Sequence, residues 1–213
     1  MVPSGMREYL VEPIPACFHA AALLSSAVDA HLADDRGNAA RLIHAADIPE
    51  VRAFTESVWG SGGKERHGFV NAPSAPPYLR RADRPVPRMP TLETQAAVIQ
   101  RDGYHCRFCG LPVVRPVLRD AIRRAYPDVL GWGSTNASQH AAFQFLWLQF
   151  DHVLPNSRGG PSTVENVVIT CAPCNFGRMD ATLEEARLVD PLARPTPRKW
   201  AGFNAWDGLE RFA

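Results

Sequence analysis

The sequence has no apolar run long enough to cross a bilayer, since a spanning helix needs about 20 predominantly apolar residues. Its charge is balanced as well, with 23 Lys and Arg against 22 Asp and Glu and a formal net charge of +1. This balance excludes a strong overall field for nucleic acid, so any such contact must come from a local basic patch. Charged residues make up 21% and hydrophobic residues 46%, which is typical of a folded chain and not of a disordered one.

A secretory signal is not indicated either. The apolar stretch 16–28 follows Glu8 and Glu12 against only Arg7, and it contains His19, which makes a poor signal peptide. Together with the cysteine spacing below, this predicts a reducing, cytoplasmic location and no membrane association.

Cysteine is sparse, with five residues in 213, but four of them form two Cys-x-x-Cys pairs. The pairs are Cys106 with Cys109 and Cys171 with Cys174, and Cys17 stands alone. In a chain without a secretory signature, this spacing favours metal binding over disulfides. Two such turns supply the four soft ligands of a closed, structural Zn²⁺ site, whereas Cys17 is predicted to be a buried apolar residue.

The first 63 residues are predicted to form a small helical N-terminal unit that serves packing or oligomerisation. Apolar residues recur at helical spacing over 16–33 and again up to Ala46. A third helix begins near Pro49, with Asp47 as its predicted N-cap.

The composition then changes to a proline-rich, basic segment, which predicts a linker at residues 64–90. Two interpretations stay open for this segment. It is either a solvated linker or a basic, proline-stiffened strand that lies along a phosphate backbone.

The main domain is predicted at residues 91–190, with an insertion at 111–149 between the first cysteine pair and the later motifs. Its predicted elements are helices at Thr91–Arg101, Pro116–Tyr126 and from Ser138 to about Phe145, strands at Leu146–Val153 and Val167–Thr170, and helices at Cys171–Arg178 and from the capping box Thr182–Glu185 to about Val189. Residues 191–213 form an aromatic tail, which includes Trp200 and Trp206. We expect this tail to dock onto the core, and stacking on bases is the alternative.

The insertion carries a possible nucleic-acid contact. Arg115, Arg119 and Arg123 are four residues apart, so a helix here would place them in one basic stripe. The stripe either contacts nucleic acid or forms an ordinary solvated face.

Chemistry is concentrated where strand, loop, strand and helix converge. Asp151 and His152 are adjacent at a strand end, so their side chains point to opposite sides and serve different purposes. A carboxylate and the amide oxygen of Asn175 are hard ligands of the kind that Mg²⁺ takes. A neutral imidazole can take a proton from water. These are the components of a metal-dependent phosphodiesterase.

The pattern Asp151-His152, Gly159-Gly160, Asn166 and Cys171-x-x-Cys174-Asn175 resembles the HNH endonucleases. The resemblance covers about residues 91–180, and it implies the ββα-metal fold within an α+β protein. It further implies that His152 is the general base, that Asp151 and Asn175 bind the catalytic Mg²⁺ or Mn²⁺, and that Asn166 braces the loop that holds His152.

Two basic residues of the same motif are candidates for phosphate contacts, namely Arg158 and Arg178. By the resemblance, the expected function is hydrolysis of DNA, implied to leave 5′-phosphate ends, with RNA as a substrate that the sequence does not exclude. A chain with one active site usually cuts one strand at a time, so double-strand cleavage usually needs two copies of the chain. The sequence is therefore compatible with a homodimer. The alternative function is a non-catalytic zinc module that binds nucleic acid or a protein partner.

Overall fold

The computed structural model describes residues 5–59, 67–197 and 203–213. Two features of the sequence prediction, the domain boundary at residue 63 and the side chain of Trp200, lie outside the described residues. None of the described helices is both long and apolar enough to span a membrane.

Within the described ranges, helices surround one small antiparallel sheet, which confirms the predicted α+β class. The helices are α1 (Pro15–Leu32), α2 (Arg36–Ala45), α3 (Pro49–Trp59), α4 (Leu92–Asp102), α5 (Pro116–Ala125), α6 (Ala141–Phe145) and α7 (Ala172–Arg178), and the strands are β1 (Leu148–His152) and β2 (Val167–Cys171).

The sheet and α7 form the ββα unit of the molecule. β1 pairs with β2 in antiparallel register, with Leu148 opposite Cys171 and His152 opposite Val167. α7 follows β2 directly and packs against both strands. All five residues of β2 are buried, so the sheet is a central element with neighbours on both faces.

The N-terminal helices share one hydrophobic core with this unit. α3 packs against α6 and α7, and α1 packs against α2, α3 and α6. Gly177 makes the close approach of α3 to α7 possible, because a Cβ there would lie 2.8 Å from Val58 Cγ1 and 2.7 Å from Leu10 Cδ2. Cys17 is fully buried in the same core, as predicted, and burial raises the pKa of its thiol to about 12.

Asp47 acts differently from expectation, and the capping box at Thr182 is not followed by the predicted helix. The Asp47 carboxylate accepts a hydrogen bond from Ala141 N at 2.7 Å, so it caps the start of α6 and thereby joins the N-terminal helices to the insertion. The capping box of Thr182 and Glu185 is present, with reciprocal bonds of 2.7 and 3.2 Å. The predicted helix after it is wrong, because the chain turns at Arg187, whose φ is 51°.

The insertion is part of the core. Leu148 N donates to Val114 O at 2.9 Å, and Val114 N donates to Leu146 O at 2.8 Å, so the start of β1 is held by the chain that follows the first cysteine pair. The C-terminal tail docks onto this region, as expected. Trp206 is buried, and its indole nitrogen donates to Val113 O at 3.0 Å.

The described part of the predicted linker, residues 67–90, packs across the loop between the two strands, and we call it the strap. Leu79 N donates to Ser157 O at 2.8 Å, and Asn156 Nδ2 donates to Pro85 O at 2.9 Å. The inner side of the strap is therefore bound to the protein, whereas several side chains on its outer side are exposed.

Candidate functional site

The four paired cysteines meet in one buried cluster. Their Sγ atoms all lie within 4.8 Å of one another, and those of Cys109 and Cys171 are 3.7 Å apart without a disulfide. A tetrahedral zinc ion with bonds of about 2.3 Å to sulfur would place its ligands about 3.8 Å apart. The cluster is therefore positioned to hold one metal ion with four thiolates and no open position.

The cluster joins two segments that are distant in sequence. Gly110 N donates to Cys106 O at 2.8 Å in the turn of the first pair, and Arg107 N donates to Ile169 O at 2.8 Å, which attaches that turn to β2. The second pair spans the end of β2 and the first turn of α7. An ion in the cluster would consequently fix the position of α7 against the sheet.

The loop between the strands, residues 153–166, is braced from within by Asn166. Its Oδ1 accepts from Leu154 N at 2.9 Å, and its Nδ2 donates to Leu154 O at 3.1 Å and to Pro161 O at 2.8 Å. These are backbone hydrogen bonds of the kind that the HNH resemblance implied for this residue. They fix the chain immediately after His152.

The paired glycines allow the loop to close on itself. Gly159 has a φ of 94°, which side chains disfavour. A Cβ at Gly160 would lie 1.7 Å from Leu154 O and 2.7 Å from Asn166 Nδ2. Any other residue at Gly160 would therefore displace the brace.

His152 is held by a serine of the loop. Its Nε2 lies 2.9 Å from Ser162 Oγ, which is itself 2.8 Å from Pro87 O and 2.8 Å from Arg88 O of the strap. A hydroxyl has one hydrogen. If Ser162 donates it to a strap carbonyl, its oxygen accepts from Nε2–H, and the Nδ1 lone pair is left to take a proton.

The surroundings keep this imidazole neutral. Burial, and after it the nearby charges of Arg178 and Arg88, lower the pKa of His152 to about 4. A neutral ring is the form in which histidine accepts a proton.

Asp151 points to the other side of β1, into a buried ion pair with Arg178. Nη2 of Arg178 lies 2.6 Å from Asp151 Oδ1, and Nε lies 3.2 Å from Oδ2. Burial raises the pKa of the Asp151 carboxyl above its ordinary value, while the guanidinium lowers it.

Arg178 is the largest fully buried side chain of the described structure, and its five N–H groups are all satisfied inside the protein. Besides the two bonds to Asp151, it donates to the carbonyl oxygens of His152 at 2.5 Å, Val153 at 3.3 Å and Ala181 at 2.6 Å. The predicted phosphate contact by Arg178 is therefore not available in this arrangement. The residue instead ties α7 to the end of β1.

Asn175 lies on the same side as Asp151. Gln149 and Asp151 are two residues apart in β1, so their side chains lie on the same side of the strand. Asn175 Nδ2 is 3.5 Å from Gln149 Oε1 on that side. Asn175 is half-buried and three residues before Arg178 on α7. The interface between β1 and α7 thus gathers one carboxylate and two amides, and the two amides are 26 residues apart in sequence.

The oxygen atoms of these three side chains are possible ligands for a hard cation. A carboxylate and amide oxygens suit Mg²⁺, which keeps several waters. A carboxylate offers about four lone-pair sites, of which Arg178 occupies two. The side chain of Asp151 is only 7% exposed, so a cation would have to share Asp151 with Arg178 or displace the guanidinium.

The elements that carry these side chains also match a known family. The sequence model of the HNH endonuclease family matches residues 141–187, from α6 to the turn after the capping box. Residues 141–187 are similar to an HNH endonuclease domain. This confirms the resemblance, and it supports nuclease activity in general. Searches of curated proteins and of solved structures gave no match.

Arg158, the second phosphate candidate in the matched segment, is also bound inside the protein. Its guanidinium lies 3.6 Å above the ring of Tyr78, pairs with Glu185 at 2.7 Å and donates to Pro76 O. Only 8% of the residue is exposed. Arg158 therefore attaches the strap and the capping-box turn to the loop and does not face a ligand.

The basic stripe on α5 is divided in the same way. Arg115 makes a two-point pair with Glu210 of the tail, with both distances 2.6 Å, and Arg119 is buried with its guanidinium 3.8 Å above Trp132. Arg123 is exposed. The predicted continuous contact surface is not formed, because two of its three members are used inside the fold.

Sequence reasoning missed Ser162 and Gln149, which contact His152 and Asn175. Neither residue carries a local signal, because a serine in a loop and a glutamine in a strand are common. Gln149 was recognisable only as a residue on the same side of β1 as Asp151, and Ser162 only from the closed loop.

Proposed function

We propose that this protein is a divalent-metal-dependent endonuclease that hydrolyses phosphodiester bonds of DNA. The observation that carries the proposal is the arrangement around β1. His152 is fixed on one side by the Asn166-braced loop, and Asp151 and Asn175 lie on the other side against α7.

In this proposal each residue of the site has a separate role. Nδ1 of His152 takes the proton of the attacking water, Ser162 holds the ring by Nε2, and Asn166 keeps the loop in place. Asp151 and Asn175 would hold Mg²⁺ or Mn²⁺, which supplies stabilisation of the charge that develops on the leaving oxygen. The four cysteines would hold Zn²⁺ as a structural ion.

The proposal is tested with purified protein, supercoiled plasmid and Mg²⁺. We expect the wild type to nick or linearise the plasmid and His152→Ala to be slower by about 10²–10⁴-fold, the usual contribution of a general base. RNA of the same length tests the alternative substrate, and linear product without accumulated nicked circles would indicate paired copies.

The matched control for His152→Ala is His44→Ala, which changes an exposed histidine on α2. Equal cleavage by the wild type and His152→Ala would contradict the assignment of the base.

One observation favours the non-catalytic alternative, namely the closure of Asp151 by Arg178. If the ion pair is permanent, the protein would bind nucleic acid or a partner through the zinc-stabilised frame without cleaving. That function predicts retardation of DNA on a gel and intact plasmid with Mg²⁺, Mn²⁺, Ca²⁺ and Zn²⁺ alike.

The proposed phosphate contacts lie on the strap. Arg81 and Arg88 are exposed there, and Arg88 is close enough to His152 to affect its pKa. Arg80 is also exposed but pairs with Asp83 at 2.7 Å. This placement favours the interpretation of the segment as a basic strand along a phosphate backbone, beside the proposed base.

We expect the double variant Arg81→Ala/Arg88→Ala to weaken DNA binding for all sequences. Each lost phosphate contact should reduce the slope of log K against log salt by about 0.9. The measurement is fluorescence anisotropy of a labelled duplex in EDTA at several salt concentrations. Arg41→Ala, an exposed arginine of α2, is the neutral control. A larger loss in Arg123→Ala than in the double variant would move the interface to α5.

A further inference from the structure

A pocket of about 360 Å³ opens beside the C-terminal half of α7. Three aromatic residues form its walls, Trp59 from α3, Trp147 before β1 and Phe176 from α7. The ring centroids of Trp59 and Phe176 are 5.2 Å apart at 81°, and those of Trp147 and Phe176 are 6.1 Å apart at 58°. The pocket therefore offers flat apolar faces at different angles.

The mouth of this pocket is apolar and exposed. Phe176 is 38% exposed and Met179 is 59% exposed, although both are large hydrophobic residues. The polar lining residues at the pocket are the amides of Asn136, Gln139 and Gln144, and no charged side chain lines it among the described residues. An uncharged, flat ligand with polar edges matches this lining.

In the part of the chain that the structure describes, the side-chain amide of Gln144 is buried without the hydrogen-bond partners that a buried amide normally has. It is 0% exposed, and neither its Nε2 nor its Oε1 has a hydrogen-bond partner among the described residues. Trp59 Nε1 is likewise buried without a partner in the described ranges. Buried donors and acceptors without partners destabilise a protein, and a ligand that supplies those partners would gain the difference.

We propose that this pocket binds a nucleobase. Aromatic side chains stack on the faces of bases, and a glutamine amide can donate and accept along a base edge at once. The absence of charged lining residues in the described structure leaves the sugar and phosphate outside, toward the solvent.

The position of the pocket connects it to the proposed cleavage centre. Phe176 directly follows Asn175, and Trp147 directly precedes β1. A base taken out of its stack and held here would lie beside the interface of β1 and α7. Assigning the base to a nucleic-acid strand rests on the proposed function, whereas a free nucleoside is a second source of the same chemistry.

The test measures binding in EDTA, so that it does not depend on cleavage. The probes are a single strand of about ten nucleotides, a matched strand of abasic units with equal charge, and the four free nucleosides. Binding is followed by anisotropy of labelled strands and by tryptophan fluorescence. We expect the strand with bases to bind roughly tenfold more tightly than the abasic strand and to quench the fluorescence.

Two variants make the test specific. Gln144→Leu should raise the melting temperature, because it removes an unpaired amide, and it should abolish the advantage of the strand with bases. Phe176→Ala should reduce the same advantage. Thr170→Val is the matched control, since Thr170 Oγ1 is also buried without a described partner but lies in β2, and it should raise stability without affecting base binding.

The outcomes separate this inference from the nuclease proposal. Saturable quenching by free nucleosides that Gln144→Leu removes would support the pocket, even for a protein that never cleaves. Equal binding of the two strands together with no quenching by nucleosides would overturn the inference. A lower melting temperature of Gln144→Leu with unchanged base preference would overturn it too, because the amide would then be structural.

Discussion

Removal of the metal ion from the four-cysteine cluster is expected to unfold the protein. Structural zinc contributes about 10–16 kcal/mol in zinc-finger peptides, which equals or exceeds the total stability of about 5–15 kcal/mol of an ordinary domain. Here the ion would join the turn at Cys106, the end of β2 and the start of α7, all of them buried. The measurements are elemental analysis, with one zinc per chain expected, and circular dichroism during titration with a chelator.

Cysteine variants provide the control for this result. Cys174→Ser should lose the ion and the cooperative thermal transition. Cys17→Ala changes an equally buried cysteine that lies outside the cluster, so it should keep one ion per chain. A protein that stays folded after complete removal of zinc would contradict the structural assignment.

Truncation of Arg178 to alanine is expected to lower the free energy of unfolding by about 3–5 kcal/mol, because it leaves the buried carboxylate of Asp151 without its partner. The same change also removes the donors to the carbonyl oxygens of His152, Val153 and Ala181. Denaturant unfolding, analysed at constant m value, measures the loss.

Two further variants show which property of Arg178 matters. Arg178→Lys keeps the charge but not the fork of donors, so we expect it to recover only part of the stability. The double variant Arg178→Met/Asp151→Asn should be more stable than Arg178→Ala, since no unpaired charge remains. Wild-type stability of Arg178→Ala would mean that the ion pair does not hold α7 to β1.

The elements with strong local signals could be predicted from the sequence. The predicted ends of α1, α4, α5 and both strands lie within about two residues of the observed ends, because periodic apolar residues and caps such as Thr91 act over short distances. The cysteine pairs were likewise predictable, since their spacing is a property of the chain itself. The helix after Thr182 was predicted wrongly, although its capping box is present, because the backbone at Arg187 turns away from helical geometry.

The roles of the arginines could not be predicted, because their partners are distant in sequence. Arg178 pairs with a residue 27 positions away, and Arg115 pairs with one 95 positions away. A local charge pattern does not distinguish an exposed arginine that can bind phosphate from a buried arginine that pairs with groups inside the protein. The packing of the strap against the loop could not be predicted for the same reason, since the contacting residues are distant in sequence.

The way in which the strap holds the loop separates two kinds of change. The strap receives the loop side chains of Asn156 and Ser162 through carbonyl oxygens of its own backbone, at Pro85, Pro87 and Arg88. Every residue type has a carbonyl group, so replacing the outward side chains leaves this attachment intact. Substitutions of the outward side chains are therefore expected to change the charge of the strap surface while the geometry around His152 stays unchanged.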